Sequence, residues 1–370
     1  MVVGAGLAGA ATAWQLARRG REVVVLDRFE RSHARGSSHG TERIVRLGYT
    51  AVEYVELGLE AMQGWRELEA DAGTTLLHVT GAIDAGYDDE LAAVEAAYRT
   101  CSVPFEWLQA GAAAERWPGL RFEGPVLHQP DGGWVRADLA LDAFLDGAAL
   151  RGALLRFESP VVALERAGDG LRVVTDEGSV VAPVVVVAAG AWAPGLLTGL
   201  LPLPALTVTE ELVAYFRRRA PDRPWPCFIH RGTPLLYGLP GPHQRIKVGE
   251  HQTGPVVHPD ERTFELRPEA RQRLRDAVEH WLPGVDPEPV DAVTCLYATG
   301  PGDDLVLDRV GPVVVASGLG GHGFKFGPAL GRILADLTAP PDAAGDVPAA
   351  LRRFGLGRGA TSGPGRSGAR

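Results

Sequence analysis

The chain has 370 residues, 45% of them hydrophobic and 22% charged, the balance of an ordinary globular protein with room for two domains. A net charge of −9, with no basic run longer than Arg217-Arg218-Arg219, argues against a nucleic-acid partner. No unbroken apolar stretch is long enough for a membrane helix, and Cys101, Cys227 and Cys295, odd in number and widely spaced, argue against a disulfide framework or metal site and fit a reducing cytoplasm.

The chain opens Val2-Val3-Gly4-Ala5-Gly6-Leu7-Ala8-Gly9, followed by a helical stretch to about residue 19, a strand over 22–26, and Asp27. This is strand, glycine turn, helix, strand and acid, with Asp27 standing 18 residues after the third glycine. In such a βαβ unit Gly4 makes the turn, Gly6 lets the backbone approach a pyrophosphate, and Gly9 lets helix and strand pack closely. The helix N-terminus offers N–H donors to the phosphates, and Asp27 accepts from ribose hydroxyls. The glycine fingerprint begins at the fourth residue, so no signal peptide is expected. Only three residues precede Gly4, a clipped first strand from which a true start a few residues upstream is an expectation.

Next comes Gly36-Ser37-Ser38-His39-Gly40-Thr41-Glu42-Arg43-Ile44-Val45-Arg46. The spacing of Arg43 and Arg46 allows one solvated helix face, whereas the flanking glycines and serines favour a loop at the cofactor, with Ser37 facing it. Residues 161–165 and 171–175 read as a hairpin, and an apolar strand over 184–187 runs into Ala188-Ala189-Gly190, small residues that allow close approach of a ligand. Strands over 206–216, 227–230, 235–239 and 245–249 follow, then an Arg-rich amphipathic helix over 266–281 stopped by Pro283-Gly284. A last buried strand over 313–316 enters Ser317-Gly318-Leu319-Gly320-Gly321-His322-Gly323-Phe324-Lys325-Phe326, then a helix over 328–337.

Three separated pieces therefore end in glycine-rich turns that face one ligand. The expected fold is α/β: a discontinuous dinucleotide domain over 1–80, 150–205 and 295–340, and a second α+β domain over 81–149 and 206–294. Residues 354–370, rich in Gly, Ser and Arg, are expected to form a disordered tail.

Of 37 basic residues only Lys247 and Lys325 are lysines, leaving 37 − 2 = 35 arginines. A composition this biased keeps lysine by chance or where a compact ammonium cannot be exchanged for a planar fork. Lys247 reads as a solvated surface group or as a fixed charge, and Cys295 as a small buried hydrophobe or a reactive thiol.

The opening fingerprint, the 36–46 segment, Lys247-Val248-Gly249-Glu250-His251, Cys295-Leu296-Tyr297 and Gly321-His322-Gly323-Phe324-Lys325-Phe326 occur in an order that resembles the monomeric sarcosine oxidase and N-methyltryptophan oxidase family, of the D-amino-acid-oxidase-like superfamily. The resemblance runs from Val2 to about Leu337. It implies a glutathione-reductase-like Rossmann domain binding FAD, a substrate domain with a mixed, largely antiparallel sheet, and oxidation of the C–N bond of a secondary amine or N-methyl amino acid with O2 reduced to H2O2. By the same resemblance Cys295 bonds the flavin covalently, and Arg43 and the Gly321-His322-Gly323 turn face it. Lys247 promotes reaction with O2, Arg46 and Lys325 bind the substrate carboxylate, and Tyr237 and His251 complete the site. Tyr237 and His251 read equally as a packed strand tyrosine and a satisfied structural histidine.

Two departures bear on the substrate. Gly302-Asp303-Asp304 stands where the family often has Asp-Glu-His, and Glu250 replaces an aromatic. The rival readings are an oxidase of a cyclic imino acid in a biosynthetic pathway, a dehydrogenase passing electrons to a quinone or protein, a nicotinamide enzyme using the same fingerprint, and a non-catalytic flavin-binding subunit. The expected protein is cytoplasmic and monomeric.

Overall fold

The computed structural model describes residues 1–86, 88–220, 223–340 and 349–356. Its centre is a six-stranded sheet in the order Val306–Val310, Val313–Ser317, Val185–Val187, Val2–Val3, Val24–Leu26 and Leu154–Arg156. All neighbours run parallel except the first pair. The valine runs follow from burial on both faces, and alternation divides each strand between two cores. Val2, Val186 and Val314 join the cluster with Trp14, Trp65, Phe144 and Phe326. Val3, Val185, Val187, Val313 and Val315 join the opposite one with Leu171 and Leu197.

The first face is covered by the helices Leu7–Arg18, Val52–Ala72, Ala137–Ala149 and Gly327–Leu337. Helix Leu7–Arg18 can lie tight on Gly327–Leu337 because a Cβ at Gly331 would stand 2.6 Å from the Ala11 backbone. The second face carries the antiparallel sheet Val161–Ala167, Gly170–Thr175 and Gly178–Ala182, the expected hairpin plus one strand.

The second large sheet has eight strands: Val285–Thr299, Thr207–Arg218, Arg245–Glu250, Leu236–Pro240, Cys227–Arg231, Ala82–Gly86, Val126–Gln129 and Glu106–Leu108. It is antiparallel except where Cys227–Arg231 meets Ala82–Gly86, so the mixed, largely antiparallel sheet is present. Its outer face packs on the helix Pro268–Trp281, whose Leu274 and Val278 are buried. A small sheet of Glu42–Val45, Gly133–Arg136 and Leu77–Val79 lies between the two halves of the molecule. Among the described residues no helix is long and apolar enough to cross a membrane.

Several expectations are corrected. A boundary at residue 295 falls inside the strand Val285–Thr299, so Cys295 sits on the eight-stranded sheet. The 81–149 segment divides, because Ala137–Ala149 packs on the dinucleotide half through Phe144 against Trp14, ring centroids 5.5 Å apart. The tail does not begin at 354: Ala349–Phe354 is helical, Phe354 is fully buried against Tyr54, and the Leu356 N–H donates to Asp308 at 2.7 Å. Residues 357–370 of the expected tail lie outside the described residues.

Candidate active site

The first βα turn is built as a cradle. Gly4 has φ of 99°, and a Cβ there would stand 2.5 Å from the Ala188 carbonyl oxygen. A Cβ at Gly9 would overlap the Gly4 carbonyl, which makes Gly9 a packing glycine. Gly6, in extended conformation, caps helix Leu7–Arg18 with no side-chain acceptor, so the first N–H groups of the helix face a cleft. Buried Asp27 fixes the turn, accepting from Ala5 N at 2.6 Å and from Phe29 N at 2.9 Å. Ser38 Oγ accepts from Leu7 N at 3.0 Å, a role that sequence reasoning missed beside Ser37.

These residues line a cavity of about 330 Å3 that extends past Gly190 to the second glycine-rich turn at Gly318 and Gly320. Gly190 has φ of 54° and open space where a Cβ would project. Ser317 Oγ in this wall is buried with no partner among the described residues. A helix N-terminus with no acceptor from its own N-cap side chain, ribose-competent Asp27, close backbone approach and an orphaned hydroxyl fit the dinucleotide moiety of FAD.

The cleft continues into a second cavity of about 720 Å3, sharing Leu7, Ser37, Ser38, Leu319 and Gly320 with the first. The eight-stranded sheet supplies one wall, and strand alternation selects its residues: Leu235, Tyr237 and Leu239, then Ile229 with Arg231, then Cys295 with Tyr297. The other wall is Arg43, Arg46, Tyr49, Tyr54 and the 321–325 turn. Arg43 lies on the strand Glu42–Val45 and Arg46 just past it, so neither the helix face nor the free loop is observed.

Lys247 sits within Arg245–Glu250, buried rather than solvated, its Nζ donating to the Glu42 carbonyl at 3.1 Å. Burial, then the Arg43 charge, lowers its pKa to about 7. The Arg43 guanidinium is tied to backbone carbonyls, donating to Glu42 O at 2.9 Å, Ser37 O at 3.0 Å and His39 O. His39, another residue missed by sequence reasoning, has its pKa lowered to about 3 by burial and by Arg43, and its Nε2 has no partner among the described residues. Burial raises the Cys295 thiol pKa, while Arg43 and Lys247 pull it down.

At the far end Lys325 Nζ donates to the Tyr49 hydroxyl at 2.8 Å and to the His322 carbonyl at 2.6 Å. Its pKa falls well below the ordinary lysine value through burial, then through Arg46. The Arg46 guanidinium stands over the Tyr49 ring at 5.2 Å, bonds the Gly48 carbonyl and pairs with Asp84 at 3.4 Å. Asp84 also pairs with buried Arg231 at 2.8 Å, and Arg231 bonds Glu90. Tyr49, Asp84 and Arg231 were not anticipated; the only signal was a charge inside each of two apolar strands.

The remaining candidates fill in between. Tyr237 and Tyr297 hydroxyls are 3.3 Å apart, and the His251 ring lies 5.6 Å from that of Tyr297. A Cβ at Gly321 would overlap the Tyr297 ring, and one at Gly323 would stand 2.7 Å from Leu319, so both glycines allow the turn to seat. His322, its pKa lowered to about 3 by burial, contacts the Tyr49 hydroxyl through Nδ1 at 3.2 Å and the Asp303 carbonyl through Nε2 at 3.0 Å. Glu250, the departure beside Lys247, faces away and pairs with Arg273 at 3.1 Å.

The family model described as FAD dependent oxidoreductase matches residues 1–337. The monomeric sarcosine oxidase of Streptomyces avermitilis is 33% identical over 359 residues, covering 91% of this chain and 92% of that one. The peroxisomal sarcosine oxidase of Homo sapiens is 32% identical over 362 residues, covering 91% of each. Among solved structures, the open form of NikD, an unusual amino acid oxidase essential for nikkomycin biosynthesis, matches with a TM-score of 0.84 at 31% identity over 95% of each chain.

Proposed function

The chain belongs to the FAD dependent oxidoreductase family, and from that membership we propose that it is an FAD-dependent oxidase of secondary amino acids, of the sarcosine or N-methyl-amino-acid type. The observation that carries the reading is the pair of cations, Arg46 and Lys325, resting on Tyr49 in a cavity continuous with the dinucleotide cleft. Two desolvated cations this close call for an anion, and an amino-acid carboxylate supplies one. FAD, when bound, would supply the acceptor for the two electrons leaving the C–N bond, with O2 as their final acceptor and H2O2 as the product.

The chain's own residues orient and stabilise. Arg46 and Lys325 hold the carboxylate, and Asp84 fixes the Arg46 guanidinium. Tyr237, Tyr297 and His251 bound the space left for the amine and side chain. Lys247 holds a positive charge out of bulk water, where negative charge develops on oxygen. Arg43 would hold the flavin ring from the cavity wall, and Cys295 would offer its sulfur for a covalent link to it. The substrate loses two electrons and two protons, and water then adds to the iminium carbon. An N-methyl amino acid would yield the amino acid and formaldehyde. A cytoplasmic, monomeric enzyme belongs to the same proposal, and Cys101, Cys227 and Cys295 are all free thiols.

A second reading is oxidation of a cyclic imino acid in a biosynthetic pathway, and its biosynthetic setting is favoured by the match to NikD, an unusual amino acid oxidase essential for nikkomycin biosynthesis, across 95% of the chain. Anaerobic bleaching of the bound flavin by sarcosine, N-methyltryptophan, pipecolate, proline and a primary amino acid separates the two. Bleaching by a secondary amine, with recovery and peroxide on admitting air, is the expected result. No bleaching by any of them from a flavin-loaded protein would overturn the proposal.

A further inference from the structure

Both cations of the carboxylate site touch one ring. Lys325 Nζ bonds the Tyr49 hydroxyl, and the Arg46 guanidinium lies over the Tyr49 face. Tyr49 is itself stacked on Tyr54, centroids 5.0 Å apart and planes within 19°. Tyr54 is held in turn by the C-terminal helix Ala349–Phe354. Phe354 meets its ring edge-on at 5.1 Å, and the Arg353 guanidinium stands 5.4 Å from its centroid. The Tyr54 hydroxyl donates to Asp304 at 3.1 Å, and Arg353 pairs with the same carboxylate at 3.0 Å and with Glu53 at 3.5 Å. Arg353 also lines the substrate cavity. Phe354 is fully buried, so the segment is seated rather than draped. The family model ends at residue 337, ahead of this helix.

We propose that Arg353 and Phe354 are positioning residues for the substrate carboxylate, holding Tyr54 and through it Tyr49, so that Lys325 and Arg46 present a fixed pair of cations. The inference rests on the carboxylate reading of Arg46 and Lys325. Lysine has a flexible four-carbon stem, and its ammonium keeps one place only where an acceptor is fixed. The His322 carbonyl and the Tyr49 hydroxyl are the two acceptors, and the ring of Tyr49 has the Tyr54 ring as its stacking support. If the buttress is loosened, the cation pair spreads over more positions and binds a carboxylate less tightly, while the chemistry of a bound substrate is little changed.

The test uses full-length, flavin-loaded protein and two ligands that cannot be oxidised at nitrogen: tetrahydrofuran-2-carboxylate, with oxygen where the amine would be, and its methyl ester. Binding is read from the perturbed flavin absorbance. Arg353→Gln and Phe354→Leu are each expected to raise the Kd of the carboxylate about tenfold and leave that of the ester within about twofold, with Arg353→Lys restoring most of the affinity. With an oxidisable substrate, KM rises and kcat stays close to that of the parent. An unchanged carboxylate Kd in both variants, or carboxylate and ester weakening together, would overturn the inference. So would an effect of Arg353→Gln without one from Phe354→Leu, because that pattern is simple charge attraction. The titration needs no turnover, so it still decides the question if no secondary amine proves to be a substrate. Failure of the unaltered protein to bind the carboxylate overturns the Arg46–Lys325 reading and this inference with it.

Discussion

Lys247 stores a cost that can be measured without any catalysis. Its pKa is about 7 in the fold, against about 10.4 in an unfolded chain. The folded value of this base is depressed, so between those pH values the unfolded chain binds the extra proton and stability rises with pH. At pH 7 and below, the charged ammonium costs about 4–5 kcal/mol, since each tenfold loss of proton affinity is worth about 1.4 kcal/mol. By pH 9 only about 2 kcal/mol of that cost remains. Lys247→Met removes the titration and keeps the stem volume. It also deletes the hydrogen bond to the Glu42 carbonyl, a loss that does not change with pH. The assay is urea unfolding of the flavin-free protein, parent and variant, at pH 7 and pH 9. The stability of the variant relative to the parent should fall by about 2–3 kcal/mol between the two pH values. The constant offset from lost packing cancels in that difference. A difference that stays flat or grows with pH would refute the argument that Lys247 is held as a desolvated cation.

The same variant should leave anaerobic flavin reduction nearly unchanged and slow reoxidation by O2 by roughly 10²–10³, as stopped-flow absorbance would show; equal slowing of both steps counts against the assigned role. Reoxidation by the parent should fall as pH rises through an apparent pKa of about 7, because the helpful form of Lys247 is protonated. Cys295→Ser should release its flavin on acid precipitation, whereas the parent retains it in the pellet; release from both proteins rules out the covalent link. Asp84→Asn should destabilise the protein by about 3–5 kcal/mol in urea, because buried Arg231 and half-buried Arg46 lose their shared carboxylate.

The parts of this molecule legible in its sequence are those whose determinants are local. The first βα turn was readable because the positive φ of Gly4 and the packing of Gly9 on the Gly4 carbonyl are set within a few residues. The valine strands were readable because burial on both faces leaves no other composition. The 43–46 segment resisted, since its strand is defined by pairing with Gly133–Arg136 and not by any alternation of its own. Asp84 and Arg231 resisted for the same reason. They become neighbours only because Ala82–Gly86 and Cys227–Arg231 run parallel in one register, which no local pattern encodes. Phe354, alone among arginines and glycines, looked like tail because the ring that buries it, Tyr54, lies at the other end of the chain.

Register also sets Glu250 apart from the cavity. It stands three residues after Lys247 in one strand, and an odd spacing puts the two side chains on opposite faces of the sheet. Lys247 therefore lines the cavity beside Cys295, whereas Glu250 turns to Arg273 on the helix packed against the outer face. An aromatic replaced by glutamate at that position alters the sheet–helix contact and leaves the cavity wall as it was. Asp304 is the departure that does reach the site, because it ties Tyr54 to Arg353. Selectivity among secondary amino acids should thus respond to Asp304 and leave Glu250 indifferent.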